Sequence, residues 1–207
     1  IRDVPEWEIA GVSATTPEEL AVLEDAAGTL GFSAESFSDY RTMLDTVRPD
    51  MVAIDGPFER HAEMCLEALR RRIHVFCEKP IAFHLSEVAE MEKLASENNL
   101  RVMSMAALRY EQAFQAACDM VRSGAIGELR LLQIQKSYKF GTRPDFYRKR
   151  ASYGGTIPWV GSHGIDLMLA MTDAEVRDIR AVQSRCCNHD TGEMEMTAQC
   201  LFGLENG

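Results

Sequence analysis

The sequence predicts an α/β protein: a partial Rossmann-type, doubly wound parallel sheet, followed by an α/β domain with a large open, mostly antiparallel sheet. Two patterns support this fold class. Up to about residue 104, short apolar runs alternate with amphipathic helical segments, as in βαβ units. Beyond that point, longer runs alternate apolar and polar residues, as in antiparallel strands with one face in solvent. We therefore expect a domain boundary there, with domains spanning residues 1–104 and 105–207.

The elements of the first domain can be placed in order. Strands are predicted at 7–12, 50–55, 73–77 and 100–105. Helices are predicted at 17–30, 38–47, 59–71 and 85–97. Pro17, followed by two glutamates, is typical of a first helical turn, and Gly31 is typical of a residue that ends a helix.

In the second domain, a helix is predicted at 112–122. Three strands are predicted at 128–138, 176–184 and 195–202. Their length and alternation are what predict an antiparallel sheet.

Composition argues against several classes of partner. The chain has 207 residues, a hydrophobic fraction of 46% and a formal net charge of −10. An acidic surface repels phosphate backbones and anionic lipids, so we expect neither nucleic acid nor membrane as a partner. No apolar run approaches the roughly 20 residues that span a bilayer. The six cysteines have no metal-binding spacing, so we expect no metal site, and reduced thiols point to the cytoplasm.

The strongest local signal is Glu78-Lys79-Pro80, which directly follows an apolar strand. Ligands of parallel sheets bind at the carboxyl ends of strands. Partial burial there can lower the pKa of a lysine into a range useful for proton transfer. A cis bond before Pro80 is one way to aim the lysine side chain. The alternative is a lysine on an ordinary surface turn, which the position after the strand disfavours.

A second signal is a glycine-rich segment, residues 154–167, that leads into a helix bearing His163 and Asp166 one turn apart. A histidine near a helix start, beside glycines that permit close approach, suits proton exchange with a hydroxyl. The alternative is a structural histidine bonded to backbone. The segment alone leaves both interpretations open.

Two weaker signals remain. The turn Gly56-Pro57 follows a strand and would let the backbone approach a dinucleotide, whereas the side chain of His61 is expected to cap or pack the next helix. Arg109 and Tyr110 follow the last strand of the first domain, where ligand sites concentrate. Either residue could contact a ligand or pack between the domains.

Taken together, these motifs resemble the Gfo/Idh/MocA family, which includes glucose–fructose oxidoreductase and inositol dehydrogenase. The matching segments occur in the order and at the spacing of that family over nearly the whole chain. They are PFERH at 57–61, HVFCEKPIA at 74–82, LRY at 108–110, SGAIGEL at 123–129 and GG…GSHGIDL at 154–167.

The resemblance implies an NAD- or NADP-dependent oxidoreductase that moves hydride between nicotinamide and a hydroxyl-bearing carbon of a sugar, cyclitol or similar polyol. It implies that Lys79 and His163 are catalytic, and that both contact the substrate together with Tyr138 and Trp159. It also implies a homodimer or homotetramer. The implied cofactor-binding residues are Ser13, Thr15, Gly56, Pro57, His61, Glu78, Lys79, Pro80 and Arg109.

The chain departs from the family pattern in three places. It contains no GxGxxG loop and resembles a family member truncated at both ends, so we expect weak dinucleotide binding. Ala14 stands where an acid often holds the ribose hydroxyls, which opens the site to NADP. Trp159 replaces an aspartate that many members place four residues before the histidine. Two alternatives therefore stay open: an NAD-dependent glycosidase of the same family, and a non-catalytic ligand-sensing relative.

Overall fold

The computed structural model describes residues 4, 6–139, 141, 143–185 and 191–205. The chain divides into two compact units. The first unit comprises Ile1–Cys77 and His84–Met103, and the second comprises Glu78–Phe83 and Ser104–Gly207. The short segment that carries Lys79 is therefore part of the second unit, although the strand before it belongs to the first.

Strands and helices alternate through the first unit, as the sequence predicts, and one further strand, Glu35–Phe37, was not predicted. The strands are β1 (Gly11–Ser13), β2 (Glu35–Phe37), β3 (Met51–Ile54), β4 (His74–Cys77) and β5 (Val102–Ser104). The helices are α1 (Pro17–Leu30), α2 (Tyr40–Val47), α3 (His61–Arg70) and α4 (Leu85–Asn98). Gly31 ends α1 in the left-handed conformation, with φ of +75°, which a residue without a Cβ adopts at no steric cost.

The strands of the first unit form two sheets. β1 pairs with β2 in parallel, and β3, β4 and β5 form a second sheet in that order, with β3 and β4 parallel. Parallel strands connected through helices confirm the Rossmann-type class. No ladder joins β1 to β3 among the described residues, so the parallel sheet is divided.

The core of the first unit lies where α3 packs on β4 and α4. Cys65 and Leu69 on α3 and Val75 and Cys77 on β4 are at most 2% exposed. Burying a side chain of this kind stabilises the fold by roughly 1.5–3 kcal/mol. Cys65, Cys77 and Cys118 are buried, and none of the three forms a disulfide bond.

The second unit combines helices with an antiparallel pair of strands. Its helices are α5 (Gln112–Arg122), α6 (Arg150–Tyr153) and α7 (Ser162–Thr172), and a π-helical turn, Ile157–Gly161, runs directly into α7. Its strands are β6 (Val176–Gln183) and β7 (Ala198–Leu204), which pair antiparallel.

Two strand predictions in this unit are wrong or shifted. The segment 128–138 forms no strand, and Leu131 within it is 81% exposed. Its alternating pattern is typical of a strand, but a strand also needs a neighbour to pair with, and none is found within the described residues. β7 starts at Ala198 rather than 195. The backbone N–H of Glu195 donates to the Tyr153 hydroxyl, and those of Met196 and Thr197 donate to the Ser184 hydroxyl, instead of to a neighbouring strand.

Across the described part of the chain, no helix has the length and apolar character required to cross a bilayer. Among the same residues, no group of three or more histidine, cysteine, aspartate or glutamate side chains is arranged so that it could hold a metal ion.

Candidate functional site

Lys79 is held in place by a backbone carbonyl. Its side chain is 12% exposed, and its ammonium donates a hydrogen bond of 2.6 Å to the carbonyl oxygen of Trp159. The Lys79–Pro80 peptide bond is cis. An ammonium has three donors, and Trp159 is its one hydrogen-bond acceptor among the described residues. The remaining N–H groups are therefore available to a ligand oxygen.

Close packing against glycine positions the segment that carries Lys79. The ring of Phe83 lies so near Gly154 that a Cβ there would collide with it. Gly154 and Gly155 also have φ of +81° and +113°, in the region that favours glycine. Gly154 and Gly155 therefore allow close contact between two segments of the second unit.

The helical segment after these glycines places Trp159 and His163 one turn apart. Trp159 lies in the π-helical turn and His163 in the first turn of α7. Because Lys79 bonds to the Trp159 carbonyl, the lysine and the histidine belong to one local arrangement. π-helical turns occur frequently at functional sites.

His163 is half-buried, and its Nε2 lies 3.2 Å from the hydroxyl oxygen of Tyr138. In one tautomer the imidazole accepts the tyrosine proton, and in the other it donates to the tyrosine oxygen. Burial, followed by the positive charges of Lys79 and Lys136, lowers the pKa of His163 from 6.5 to about 4. The imidazole is therefore neutral at pH 7 and able to accept a proton.

Burial also lowers the pKa of Lys79. The nearby Glu78 carboxylate, 3.9 Å from the Lys79 nitrogen, opposes that shift, and the charge of Lys136 adds to it. Desolvation favours the neutral amine over the ammonium, so the lysine loses its proton more readily than a surface lysine does.

Aromatic rings pack around Trp159, next to Lys79 and His163. Tyr138 stacks on Trp159 at a centroid distance of 5.9 Å, and Tyr147 lies 4.6 Å from Trp159. Trp159 is only 9% exposed, so its ring mainly packs, whereas Tyr138 is 45% exposed. Of the two predicted substrate contacts, Tyr138 therefore has the more accessible ring.

Arg109 pairs with a side chain of its own unit. Its Nε donates a hydrogen bond of 2.9 Å to Asp166, and a second guanidinium nitrogen contacts the other carboxylate oxygen. This bidentate pair raises the pKa of Arg109 and fixes α7 to the turn after β5.

The predicted cofactor-binding residues are divided between the two units. Ser13 and Thr15 lie at the end of β1, and Gly56 and Pro57 follow β3, all in the first unit. Glu78, Lys79, Pro80 and Arg109 lie in the second unit. The backbone N–H of Thr15 already donates to Glu19, which leaves its hydroxyl for a ligand.

His61 faces the core. Its ring is fully buried, with Nε2 2.9 Å from the carbonyl oxygen of Gly56. This contact fixes the turn after β3, the structural role expected of the side chain. Any contact of this turn with a dinucleotide would involve its backbone.

The sequence analysis missed Glu195, whose side chain is buried at the start of the helical segment. Gln183 donates to it at 3.1 Å, Arg150 and Tyr153 contact it more closely, and Thr156 bonds to both its carboxylate and its carbonyl oxygen. A glutamate inside an alternating run gives no sign of such a partner set, since its partners lie 12 to 45 positions away.

One cavity in the first unit lies away from the predicted cofactor residues. It has a volume of about 520 Å³ and is lined by Asp50, Ile73 and His74, at the amino ends of β3 and β4. Ligands of parallel sheets bind at the opposite, carboxyl ends. We therefore assign this cavity no role in the candidate site.

Comparison with known proteins places both halves of the chain in one family. Residues 1–106 match the Gfo/Idh/MocA model described as an oxidoreductase family with an NAD-binding Rossmann fold. Residues 114–207 match the C-terminal domain model of the same family. These matches confirm the resemblance read from the motifs and the nicotinamide cofactor class it implies.

Two curated relatives are consistent with this family assignment. The chain is 27% identical over 98% of its length to dTDP-3,4-didehydro-2,6-dideoxy-alpha-D-glucose 3-reductase of Streptomyces violaceoruber, covering 60% of that protein. It is 24% identical over 71% of its length to inositol 2-dehydrogenase of Salmonella typhimurium, covering 42% of that protein. The chain thus spans about half the length of the curated relatives it matches.

A solved structure from Thermotoga maritima, described as a candidate oxidoreductase, shares the fold closely. It is 40% identical to the chain, with a TM-score of 0.90, and the match covers 98% of this chain and 63% of that one. The agreement extends through both compact units.

Proposed function

This chain belongs to the Gfo/Idh/MocA oxidoreductase family, and from that premise we propose that it transfers hydride between a nicotinamide cofactor and a hydroxyl-bearing carbon of a sugar, cyclitol or similar polyol. One observation carries the proposal. The ammonium of the partly desolvated Lys79 donates to the carbonyl of Trp159, one helical turn before His163, whose imidazole is neutral at pH 7.

We propose that NAD or NADP binds at the carboxyl ends of the parallel strands. The hydroxyls of Ser13 and Thr15 would face ribose oxygens or a 2′-phosphate, and the turn Gly56-Pro57 allows the backbone to approach the dinucleotide. Ser13, Thr15 and Thr16 carry hydroxyls at or after the end of β1, whereas the backbone N–H groups of Thr15 and Thr16 already donate to the Glu19 carboxylate. We therefore propose that the hydroxyls, rather than these N–H groups, contact the cofactor. When bound, the nicotinamide ring supplies the hydride acceptor or donor.

The two proposed catalytic side chains act differently on the substrate hydroxyl. During oxidation, the neutral His163 accepts the hydroxyl proton at a ring nitrogen, and Tyr138 stabilises the imidazolium or passes the proton to solvent. Lys79 donates a hydrogen bond to the same oxygen as negative charge develops on it. In the reductive direction the proton returns by the same route.

Replacing Lys79 tests this assignment. In the full-length protein, assayed with NAD and NADP against a panel of polyols, Lys79→Ala should lower turnover at least ~100-fold. The circular dichroism spectrum should be unchanged. Lys93→Ala is the matched control, because Lys93 is 70% exposed on α4.

Wild-type turnover in the Lys79→Ala variant would remove the catalytic assignment. Cofactor binding with no turnover of any polyol by the wild-type protein would favour a ligand-sensing relative instead. Net hydrolysis of a glycoside without change in total reduced cofactor would favour the glycosidase branch.

We also propose that the protein assembles as a homodimer or homotetramer in the cytoplasm. The β6–β7 sheet supports assembly, since it exposes apolar side chains such as Ile179 and Leu201, which are 60% and 62% exposed. The buried free thiols suit a reducing compartment. Light scattering of the purified protein measures the assembly, and a monomer at all concentrations would contradict it.

A further inference from the structure

The ion pair between Arg109 and Asp166 takes no part in the proposed proton transfer, yet its carboxylate lies on the same helix as His163. Asp166 follows His163 by three positions and is the single acid in the sequence of α7. Residues three positions apart on a helix are neighbours, with Cβ atoms about 5–6 Å apart. The helix therefore brings one carboxylate close to the proposed proton acceptor.

Arg109 engages both oxygens of this carboxylate. It lies in the short helical turn Ala107–Tyr110, which follows β5 and packs on α7. Its Nε donates a hydrogen bond of 2.9 Å to one oxygen of Asp166, and a second guanidinium nitrogen contacts the other oxygen. The two side chains are only 39% and 23% exposed. A bidentate pair of this kind fixes the place of the carboxylate as well as its charge partner.

The imidazole of His163 has a different partner. Its Nε2 lies 3.2 Å from the hydroxyl oxygen of Tyr138. The titratable and charged groups that act on the imidazole or on the Arg109–Asp166 pair are Lys79, Lys136, Tyr138, Tyr110 and Cys118. The histidine and the aspartate thus share a helix, but each side chain is held by a group from another segment.

Asp166 is the one charge on this imidazole that favours its protonated form. Burial, followed by the charges of Lys79 and Lys136, lowers the pKa of His163, and Asp166 opposes them with the smallest contribution. A carboxylate in direct contact with an imidazole stabilises the imidazolium much more than one that another cation holds away from it. If Asp166 turned to His163, the ring would stay protonated to higher pH and could not accept a proton.

We propose that Arg109 is a positioning residue: by holding both oxygens of Asp166, it keeps this carboxylate from pairing with His163 and leaves the imidazole free to accept the substrate proton. The inference rests on the proposed function, because it concerns the proton acceptor of the same site. In this role Arg109 acts only through Asp166, so a chain without the carboxylate should no longer need the arginine to keep His163 neutral.

An NMR titration of His163 in the full-length protein tests this dependence without requiring turnover. The resonance is assigned by its absence in His163→Gln. The wild-type imidazole should titrate near pH 4. Arg109→Met should raise this pKa by about 1–3 pH units, because Asp166 is then released next to the ring. Asp166→Asn should leave the pKa at or below the wild-type value.

The double variant separates the charge effect from a loss of structure. In the Asp166→Asn background, Arg109→Met should not change the titration of His163, since no carboxylate remains to be released. A merely structural role of the ion pair predicts a disturbed titration in both backgrounds. Arg122→Met is the matched control, because Arg122 also contacts α7, through a hydrogen bond of 2.6 Å to the carbonyl oxygen of Ala170. It should leave the pKa of His163 unchanged.

The pH dependence of catalysis gives a second measurement. In Arg109→Met, the pH below which kcat/KM falls should move upward together with the pKa of His163. Arg109→Lys should show a smaller shift, because an ammonium lacks the planar fork that holds both carboxylate oxygens. It also tests the proposal if circular dichroism shows that Arg109→Met does not fold.

An unchanged titration of His163 in the folded Arg109 variants would overturn the proposal. So would an equal upward shift in the Asp166→Asn background or in Arg122→Met. The expected shift in a protein that turns over no polyol would instead contradict the proposed function and leave this inference standing. Turnover that depends on His163, with no shift in Arg109→Met, would have the opposite meaning.

Discussion

The turn at Gly56–His61 and the helical segment at Ile157–Thr172 each contain a glycine and a histidine, but the two histidine rings have different surroundings. His61 is fully buried, and its Nε2 lies 2.9 Å from the carbonyl oxygen of Gly56. His163 is half-buried, and its Nε2 lies 3.2 Å from the hydroxyl oxygen of Tyr138.

The partner of each ring determines what the ring can do. A backbone carbonyl in the core is a fixed acceptor, so the bond of His61 holds a turn in place. The hydroxyl of Tyr138 belongs to a partly exposed side chain and can donate or accept. Burial, followed by the charges of nearby lysines, lowers the pKa of His163 and keeps its ring neutral. The sequence around the two histidines does not distinguish their roles, whereas the groups that face each ring do.

The largest expected effect comes from replacing His163. His163→Ala should lower turnover by about 10²- to 10⁴-fold, because the proton acceptor is lost, with a small change in the free energy of unfolding. His163→Gln should lower turnover similarly, since glutamine keeps a hydrogen bond to Tyr138 but accepts no proton. Steady-state kinetics and urea denaturation measure the two quantities. Turnover of His163→Gln within about two-fold of wild type would contradict the proton-transfer role.

Replacing His61 should lower the stability of the fold and leave turnover nearly unchanged. His61→Ala leaves the Gly56 carbonyl without this partner and opens a cavity, so it should lower the free energy of unfolding by about 3 kcal/mol. Turnover per folded molecule should stay within a few-fold of wild type. Glu59→Ala, an exposed neighbour, should change stability by less than about 0.5 kcal/mol. A large loss of turnover in His61→Ala with wild-type stability would erase the distinction between the two histidines.

Local signals predicted most of the first unit. Helix α1 begins at Pro17 and ends before Gly31, as composition and capping indicate, and the lysine after β4 lies where strand-end chemistry places it. These features depend on residues a few positions apart. The division of the parallel sheet is different, because pairing between strands depends on neighbours far apart in the sequence.

The site was predicted in part. Lys79 and His163 are 84 positions apart in the sequence, and family resemblance, rather than spacing, connected them. The segment 128–138 reads as a strand, yet its Lys136 and Tyr138 lie at the site without any ladder. The contacts of Arg143 with three rings were missed, because cation–π contacts between separate segments leave no periodic pattern in the sequence.

The smallest expected effect, and the most specific, is the pH dependence that His163 gives to the free energy of unfolding. Because folding lowers its pKa from 6.5 to about 4, the unfolded chain binds more protons than the folded chain between those values. The contribution of His163 to the free energy of unfolding therefore rises with pH from about 4 to 6.5 and is complete above that range. The same shift keeps the imidazole neutral at pH 7 and makes it a weaker base than an exposed histidine.

An NMR titration of the imidazole resonances in the wild-type protein and in Lys79→Met tests the arrangement directly. If Lys79 and His163 share one site, the wild-type histidine titrates near pH 4, and removing the ammonium moves that pKa upward, towards 6.5. A pKa near 6.5 in both proteins would contradict the account, because it would place the histidine in ordinary solvent, away from the lysine.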